Sequence, residues 1–249
     1  MNQDEGRNEA AADRALHELL TGKRLMAFDL DGTLIDSVPD LAAALVRALD
    51  DEGLAVPRQE DVSHWVGNGT RKLVERGLAW ALNTPVEAVD ETLSARVYAA
   101  FMGYYGDAPH RLTRLYRGVA ETLYALKDAG FMLVLVTNKP ERFIAPLLEH
   151  FALNEAFSLC LGGDSLARKK PDPLPLTHAA AHFGVPAGAC VMVGDSRHDM
   201  AAGKAAGFAT AALTYGYNHG EPISESAPDA LLDSLSELLS TSARPSSTR

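Results

Sequence analysis

The sequence predicts an α/β fold: a doubly wound parallel-sheet core of Rossmann-like form, with an all-helical insertion after its first strand. Three observations carry this. Short apolar runs recur along the chain and alternate with segments of helical length and composition. The runs are continuously apolar instead of alternating in and out, which suits parallel strands covered on both faces. Nearly eighty residues between the first and second runs hold helical patterns only, too many for an ordinary crossover.

Leu25-Met26-Ala27-Phe28 is the first expected strand. From Val38 to Leu115 no strand-like run occurs; Leu41-Ala44-Leu45-Ala48-Leu49, then Leu73 to Leu82, then Val86 to about Tyr104 carry helical spacing. Phe131 to Val136 is the clearest strand, announced by Gly130 closing the helix before it. Phe157 to Leu161, Cys190 to Val193 and Ala209 to Leu213 follow, separated by expected helices over 141–150, 174–183 and 198–206, with another over 119–129. Strand–helix–strand order implies right-handed crossovers. The expected division is a polar N-terminal extension over 1–20, poorly ordered apart from a short helix that Leu16, Leu19 and Leu20 would face. An α/β core covers 21–36 and 117–240, a helical insertion 37–116 and a flexible tail 241–249.

With 47% hydrophobic and 22% charged residues, the chain has material for a core and most of it is not intrinsically disordered. Its 33 acidic residues outnumber 23 basic ones, a formal charge of −10, which argues against nucleic acid or anionic membrane surfaces as partners. An anionic ligand therefore requires a local cation or cationic pocket. Cys160 and Cys190 sit in apolar runs and read as reduced core residues. The acidic N-terminus lacks the basic character of a secretion signal, and the longest apolar run is far short of the ~20 residues of a membrane helix. A cytoplasmic protein is expected, monomer or homodimer.

Ligands of open α/β sheets gather beyond the carboxyl ends of the strands. There the sequence places Asp29-Leu30-Asp31-Gly32-Thr33, Thr137-Asn138-Lys139, Lys169-Lys170-Pro171-Asp172-Pro173 and Gly194-Asp195-Ser196-Arg197-His198-Asp199. Each alone reads equally well as turn formers and helix caps. Together they bring four carboxylates to one edge, where two unit charges 4 Å apart repel by roughly 4 kcal/mol at an effective dielectric near 20. A cation, a shared proton, or both must offset this. An all-oxygen donor set selects a hard ion, Mg²⁺ first among them.

Asp29-x-Asp31-Gly32-Thr33-Leu34, Thr137-Asn138, Lys170-Pro171 and Gly194-Asp195-x-x-x-Asp199 resemble, in order, the four motifs of the haloacid dehalogenase-like hydrolase superfamily. The resemblance runs from Leu25 to about Leu239. It implies that Asp29 is the nucleophile, forming an aspartyl-phosphate, and that Asp31 is the acid and then the base. It further implies Mg²⁺ held by the Asp29 carboxylate, the Asp31 carbonyl and Asp195, with Asp199 orienting its waters and Lys170. Thr137, Asn138 and Lys170 would bind phosphate. A dehalogenase of the superfamily lacks an acid at the position of Asp31, and a phosphonate hydrolase has a small residue there, so a phosphoester hydrolase or phosphomutase is implied.

Trp65-Val66-Gly67-Asn68-Gly69, Val136 to Pro140, Gly162-Gly163-Asp164, Lys169 to Pro173 and Leu213 to Asn218 further resemble the bacterial phosphoglycolate phosphatases. Their reaction is expected: 2-phosphoglycolate to glycolate and phosphate, a small anionic phosphoester as substrate. Arg117 stands where those enzymes usually have proline and His198 where they commonly have asparagine; both departures are read as neutral. The insertion would be a cap, hinged near Asp36-Ser37 and Thr113 to Gly118. Gly67-Asn68-Gly69 would be its substrate loop, opening a helix whose amides meet a carboxylate. Arg71 and Lys72 would assist, or would be solvated helix charges.

Two rival readings stay open at this point: a phosphatase or mutase of another small phosphoester such as a sugar phosphate, and a phospho-acceptor signalling domain. His178 and His182 are read as an exposed helix face, and Trp65 and Trp80 as core. No Gly-x-Ser-x-Gly elbow or Gly-x-x-x-x-Gly-Lys loop is present.

Overall fold

The computed structural model describes residues 16–240. Strand β1 (Leu25–Phe28) leads through β2 (Ile35–Asp36) into four helices, α1 (Val38–Asp50), α2 (Gln59–Ser63), α3 (Thr70–Leu82) and α4 (Glu91–Asp107). The chain returns through β3 (Arg114–Leu115), α5 (Val119–Asp128), β4 (Met132–Val136), α6 (Ile144–His150) and β5 (Leu159–Leu161). It ends with α7 (Leu174–His182), β6 (Cys190–Gly194), α8 (Arg197–Ala206), β7 (Ala209–Leu213), β8 (Ala230–Leu232) and α9 (Glu237–Ser240). Six strands form one sheet in the order β5-β4-β1-β6-β7-β8, every neighbouring pair parallel.

The apolar runs are explained by burial on both sides. Met26 and Phe28 face Val119, Leu123 and Leu147 on one layer, whereas Leu25 and Ala27 join Leu176, Ala179 and Ala202 on the other. β1 lies between β4 and β6, and its last residue, Phe28, pairs with Leu135 on one side and Val193 on the other. That register sends Asp29, Thr137 and Asp195 off the sheet side by side. The strand order reverses at β1, the switch point where such sheets open a crevice.

The insertion departs from its expected form at its base. β2 and β3 pair antiparallel, Ile35 with Leu115 and Asp36 with Arg114, so a strand does occur inside the stretch expected to hold none. Two residues are too few to leave a periodic signal. Asp40 fastens this base: its Oδ2 accepts from the amides of Leu112 and Thr113 and from Thr113 Oγ1. Above it α1 packs along α4, and the missing Cβ of Gly77 on α3 makes room for Leu45, whose side chain it would approach to 2.9 Å.

Smaller differences have local causes. β8 at the sheet edge is only three residues long. Phe157 falls outside β5 and sets its ring edge against Phe28, centroids 6.3 Å apart. Residues 16–20 are helical, with Leu16 and Leu20 buried; the ends over 1–15 and 241–249 lie outside the described residues. Trp80, expected in the core, is 43% exposed and leans on Trp65. Cys160 and Cys190 are unpaired thiols. Among the described residues no helix is long and apolar enough to cross a membrane.

Candidate active site

Asp29, Asp195 and Asp199 converge at the carboxyl ends of β1 and β6, with ligand-capable oxygens all within 4.8 Å of one another. All three are buried. The Leu30 amide donates to Asp29 Oδ1 at 2.7 Å. Asp195 accepts from Thr33 Oγ1 at 2.7 Å on one oxygen and from the Tyr217 amide at 2.8 Å on the other. Asp199, in the first turn of α8, caps that helix by accepting from the Ser196 amide and hydroxyl through Oδ2. Its other oxygen is 2.6 Å from Lys170 Nζ, which also lies 3.0 Å from Asp29 Oδ1. Both Asp199 oxygens are thus committed within the protein, which suits it to orient Lys170.

Such crowding needs an absence of side chains nearby. Gly32, at φ +88°, turns the chain back after Asp31, and a Cβ there would lie 2.3 Å from Asp195 Oδ2. Gly32→Ala is expected to destabilise the fold by about 1–3 kcal/mol and to displace Asp195, lowering phosphate release. Gly22→Ala is the control: φ is also positive there, at +74°, but nothing lies within 4 Å, so only the backbone strain of about 1–2 kcal/mol applies. Thermal unfolding and turnover of the two variants separate strain from clash; an active Gly32→Ala enzyme would contradict the packing account.

The electrostatics show a charge surplus. Burial raises Asp29 well above the ordinary carboxylate range, Lys170 opposes this, and Asp199 reinforces it. Burial likewise raises Asp195, with Asp199 and Asp29 adding to it. One buried lysine against three buried carboxylates leaves negative charge that a cation would neutralise. The Asp29 and Asp195 carboxylates, with the Asp31 carbonyl, are hard oxygen donors suited to a divalent ion.

Asp31 points elsewhere. Its Oδ1 accepts from Ser37 Oγ at 2.5 Å and from Lys139 Nζ at 2.8 Å, and Lys139 is also 3.2 Å from Oδ2. Thr137 is buried beside them, its Oγ1 accepting from the Lys139 amide. Lys139, Ser37 and Tyr217 fall inside segments quoted from the sequence but carry no catalytic or binding role there. Lys139 does lie inside the Thr137-Asn138-Lys139-Pro140 stretch, and its place directly after two site positions was the available signal.

A small pocket opens over these groups, floored by Asp29, Asp31, Thr137 and Lys139 and roofed by Val66, Gly67, Gly69 and Thr70 of the insertion. Its enclosed volume is only about 20 Å³, so roof and floor lie close together. The Gly67-Asn68-Gly69 loop precedes α3, as expected, and is fastened to the sheet. Asn138 Nδ2 donates to the Gly67 carbonyl and Lys169 Nζ to the Asn68 carbonyl. Asn68 Nδ2 lies 2.7 Å from His198 Nε2, and Asn68 Oδ1 accepts from Arg76. Burial above all, then His219, lowers His198 to about 4, so its ring is a neutral acceptor at pH 7.

Three expectations need correction. Asn138, read as a phosphate ligand, spends both amide hydrogens on the Gly67 and Lys170 carbonyls, so its side chain has no donor left for phosphate. Arg71 does not line the pocket: its guanidinium rests 4.4 Å from the centroid of the Tyr98 ring, facing away over a different groove. His198, read as a neutral replacement, instead joins the core to the Asn68 side chain.

The chain is similar to known proteins over most of its length. The model of the haloacid dehalogenase-like hydrolase family matches residues 26–213. Phosphoglycolate phosphatase 1 of Pseudomonas aeruginosa is 48% identical over 216 residues, 87% of this chain and 78% of that protein. The phosphoglycolate phosphatase of Colwellia psychrerythraea is 44% identical over 220 residues, 88% of this chain and 97% of that protein. The crystal structure of a predicted phosphoglycolate phosphatase from Haemophilus somnus is similar at a TM-score of 0.84 and 39% identity, covering 88% of this chain and 98% of that one.

Proposed function

The chain belongs to the haloacid dehalogenase-like hydrolase family, and from that premise we propose that it is a Mg²⁺-dependent phosphoric monoester hydrolase acting on 2-phosphoglycolate. The observation that carries this reading is the pairing of Asp29, flanked by Lys170, with Asp31 at the floor of one small pocket. In this reading a nucleophile, an acid–base group and a phosphate-neutralising cation would be within reach of one bound ester.

The Asp29 carboxylate attacks phosphorus, forming an Asp29 oxygen–phosphorus bond as the ester oxygen–phosphorus bond breaks. Asp31 gives its proton to the departing glycolate alkoxide. A water then attacks the aspartyl-phosphate and passes a proton to Asp31; the bond to Asp29 breaks and inorganic phosphate leaves. Lys170 offsets negative charge on Asp29 and the phosphoryl oxygens, and Thr137 offers its hydroxyl to one of them. Asp199 keeps Lys170 aimed at Asp29. Asp29, Asp195 and the Asp31 carbonyl would hold a Mg²⁺ ion, which would supply further charge neutralisation, the main requirement of phosphoryl transfer.

The pocket roof supports a small substrate. Gly67 and Asn68 are tied to Asn138, Lys169 and His198, leaving little height for a sugar ring; Gly69 and Thr70, where α3 begins, line the pocket, and the first amides of that helix would offer a place for the second anionic group. The test is phosphate release from 2-phosphoglycolate, glycerol phosphate and hexose phosphates. A kcat/KM for 2-phosphoglycolate at least about tenfold above the others is expected, a difference of about 1.4 kcal/mol in transition-state binding. Equal or better hydrolysis of a hexose phosphate would replace this substrate with a sugar phosphate.

A further inference from the structure

We propose that Lys139 is a positioning residue: its ammonium holds the Asp31 carboxylate in the orientation for proton transfer, and Tyr105 of the helical insertion holds that ammonium. The assignment rests on Asp31 being the acid and base of the reaction proposed above.

Asp31 lies on a turn, where its side chain has two freely rotating bonds. It is gripped from two elements that are distant in sequence. Lys139, just past β4, reaches both carboxylate oxygens at 2.8 and 3.2 Å. Ser37, at the start of α1, donates to one of them. The lysine side chain is 1% exposed and the aspartate 12%, so water does not compete for the pair as it does at a surface. Proton transfer requires heavy atoms within about 2.6–3.2 Å, and a displacement of about 1 Å costs on the order of 100-fold in rate. A fixed ion pair supplies that constraint.

Lys139 is in turn covered. Its Nζ lies 4.7 Å from the centroid of the Tyr105 ring, near enough for the ring face to attract the ammonium. Tyr105 is fully buried and fixed between Phe101, stacked at 5.9 Å, and Phe143, edge-on at 4.9 Å. Tyr105 belongs to α4 and Lys139 to the loop that leaves β4, so the insertion bears on the acid–base group through this contact and not only through the pocket roof.

Lys139 also lines the pocket, where the competing role is to bind the substrate's carboxylate. Three small phosphoryl donors separate the roles: the phosphoesters 2-phosphoglycolate and ethyl phosphate, and the acyl phosphate acetyl phosphate. The first two expel alkoxides that need a proton; acetate leaves without one. In Lys139→Met, kcat is expected to fall about 100-fold on both alkyl esters, with KM changed by less than about threefold. Rapid-quench trapping with acetyl phosphate should show Asp29 phosphorylated at the wild-type rate, followed by slow decay because the base step is impaired. Lys139→Arg should recover part of the loss, and Tyr105→Leu should show the same pattern at about tenfold, carrying the test if Lys139→Met does not fold. An equal slowing of Asp29 phosphorylation by acetyl phosphate would overturn the proposal in favour of a general structural role. A KM increase confined to 2-phosphoglycolate would overturn it in favour of substrate binding. Failure of the wild-type protein to hydrolyse either alkyl ester would sink the phosphatase reading itself, and this assignment with it.

Discussion

Asp29→Asn is expected to lower turnover by at least about four orders of magnitude while leaving the protein folded. The amide has nearly the shape of the carboxylate and keeps an oxygen to accept from the Leu30 amide, 2.7 Å away, but its lone pairs are delocalised and it does not attack phosphorus. The fold survives because the change removes a charge from a place where charge is in surplus. Burial already raises the Asp29 carboxyl, and Asp199 adds to it. Lys170 loses one partner but retains Asp199 at 2.6 Å, so no cation is stranded. A melting temperature within a few degrees of wild type, or above it in metal-free buffer, should accompany the lost phosphate release. Asp31→Asn differs in kind: it keeps a nucleophile and removes only the acid and base, so it should spare substrates with good leaving groups. Turnover of Asp29→Asn above about one per cent of wild type, with deamidation excluded by mass spectrometry, would remove the covalent mechanism.

The contrast between what the chain announced and what it concealed follows from the range of each interaction. Ala209 to Leu213 was legible as a strand to the residue, because burial of both sheet faces imposes apolarity at every position. Asp29, Asp195, Asp199 and Lys170 were legible because strand ends deliver them to a common edge, and each carries its own local turn chemistry. The β2–β3 ribbon was not, since its two-residue strands derive their pairing from each other across the insertion. The parts played by Lys139 and Tyr105 were not legible for a related reason. A buried lysine looks like a surface lysine until the aspartate and the aromatic ring that receive it are placed, and these are separated from it by 108 and 34 positions of the sequence. Asn138 and Arg71 failed in the opposite sense. Their residue types fit anion binding, but competing partners, two carbonyls in one case and an aromatic face in the other, take up their donors and charge.

Removal of divalent ions is expected to abolish turnover, and the accompanying loss of stability should grow with pH. The sign follows from the two raised carboxyls. Below their ordinary pKa near 4 both Asp29 and Asp195 carry protons whether folded or not, and contribute nothing. As pH rises, the unfolded chain ionises them freely, whereas the folded chain resists until about 7 for Asp29 and about 8 for Asp195. Their contribution to folding thus becomes steadily less favourable between about pH 4 and pH 8. A divalent cation binds the ionised forms and reverses this, so metal binding and deprotonation are linked. With Mg²⁺ at about 100 times its dissociation constant the gain is about 2.7 kcal/mol, roughly 5–10 °C in melting temperature for a chain of this size. The difference between Mg²⁺-loaded and EDTA-treated protein should be largest near pH 8 and shrink towards pH 5, where protons compete for the same oxygens. Half-buried acids away from the site, such as Glu52 and Asp172, held below their usual range by their own hydrogen bonds and arginine partners, contribute equally to both samples and cancel. Undiminished turnover in excess EDTA, or a Mg²⁺ shift that is flat with pH, would mean that Lys170 alone balances the cluster, and the carboxylates would then have to share a proton throughout the reaction.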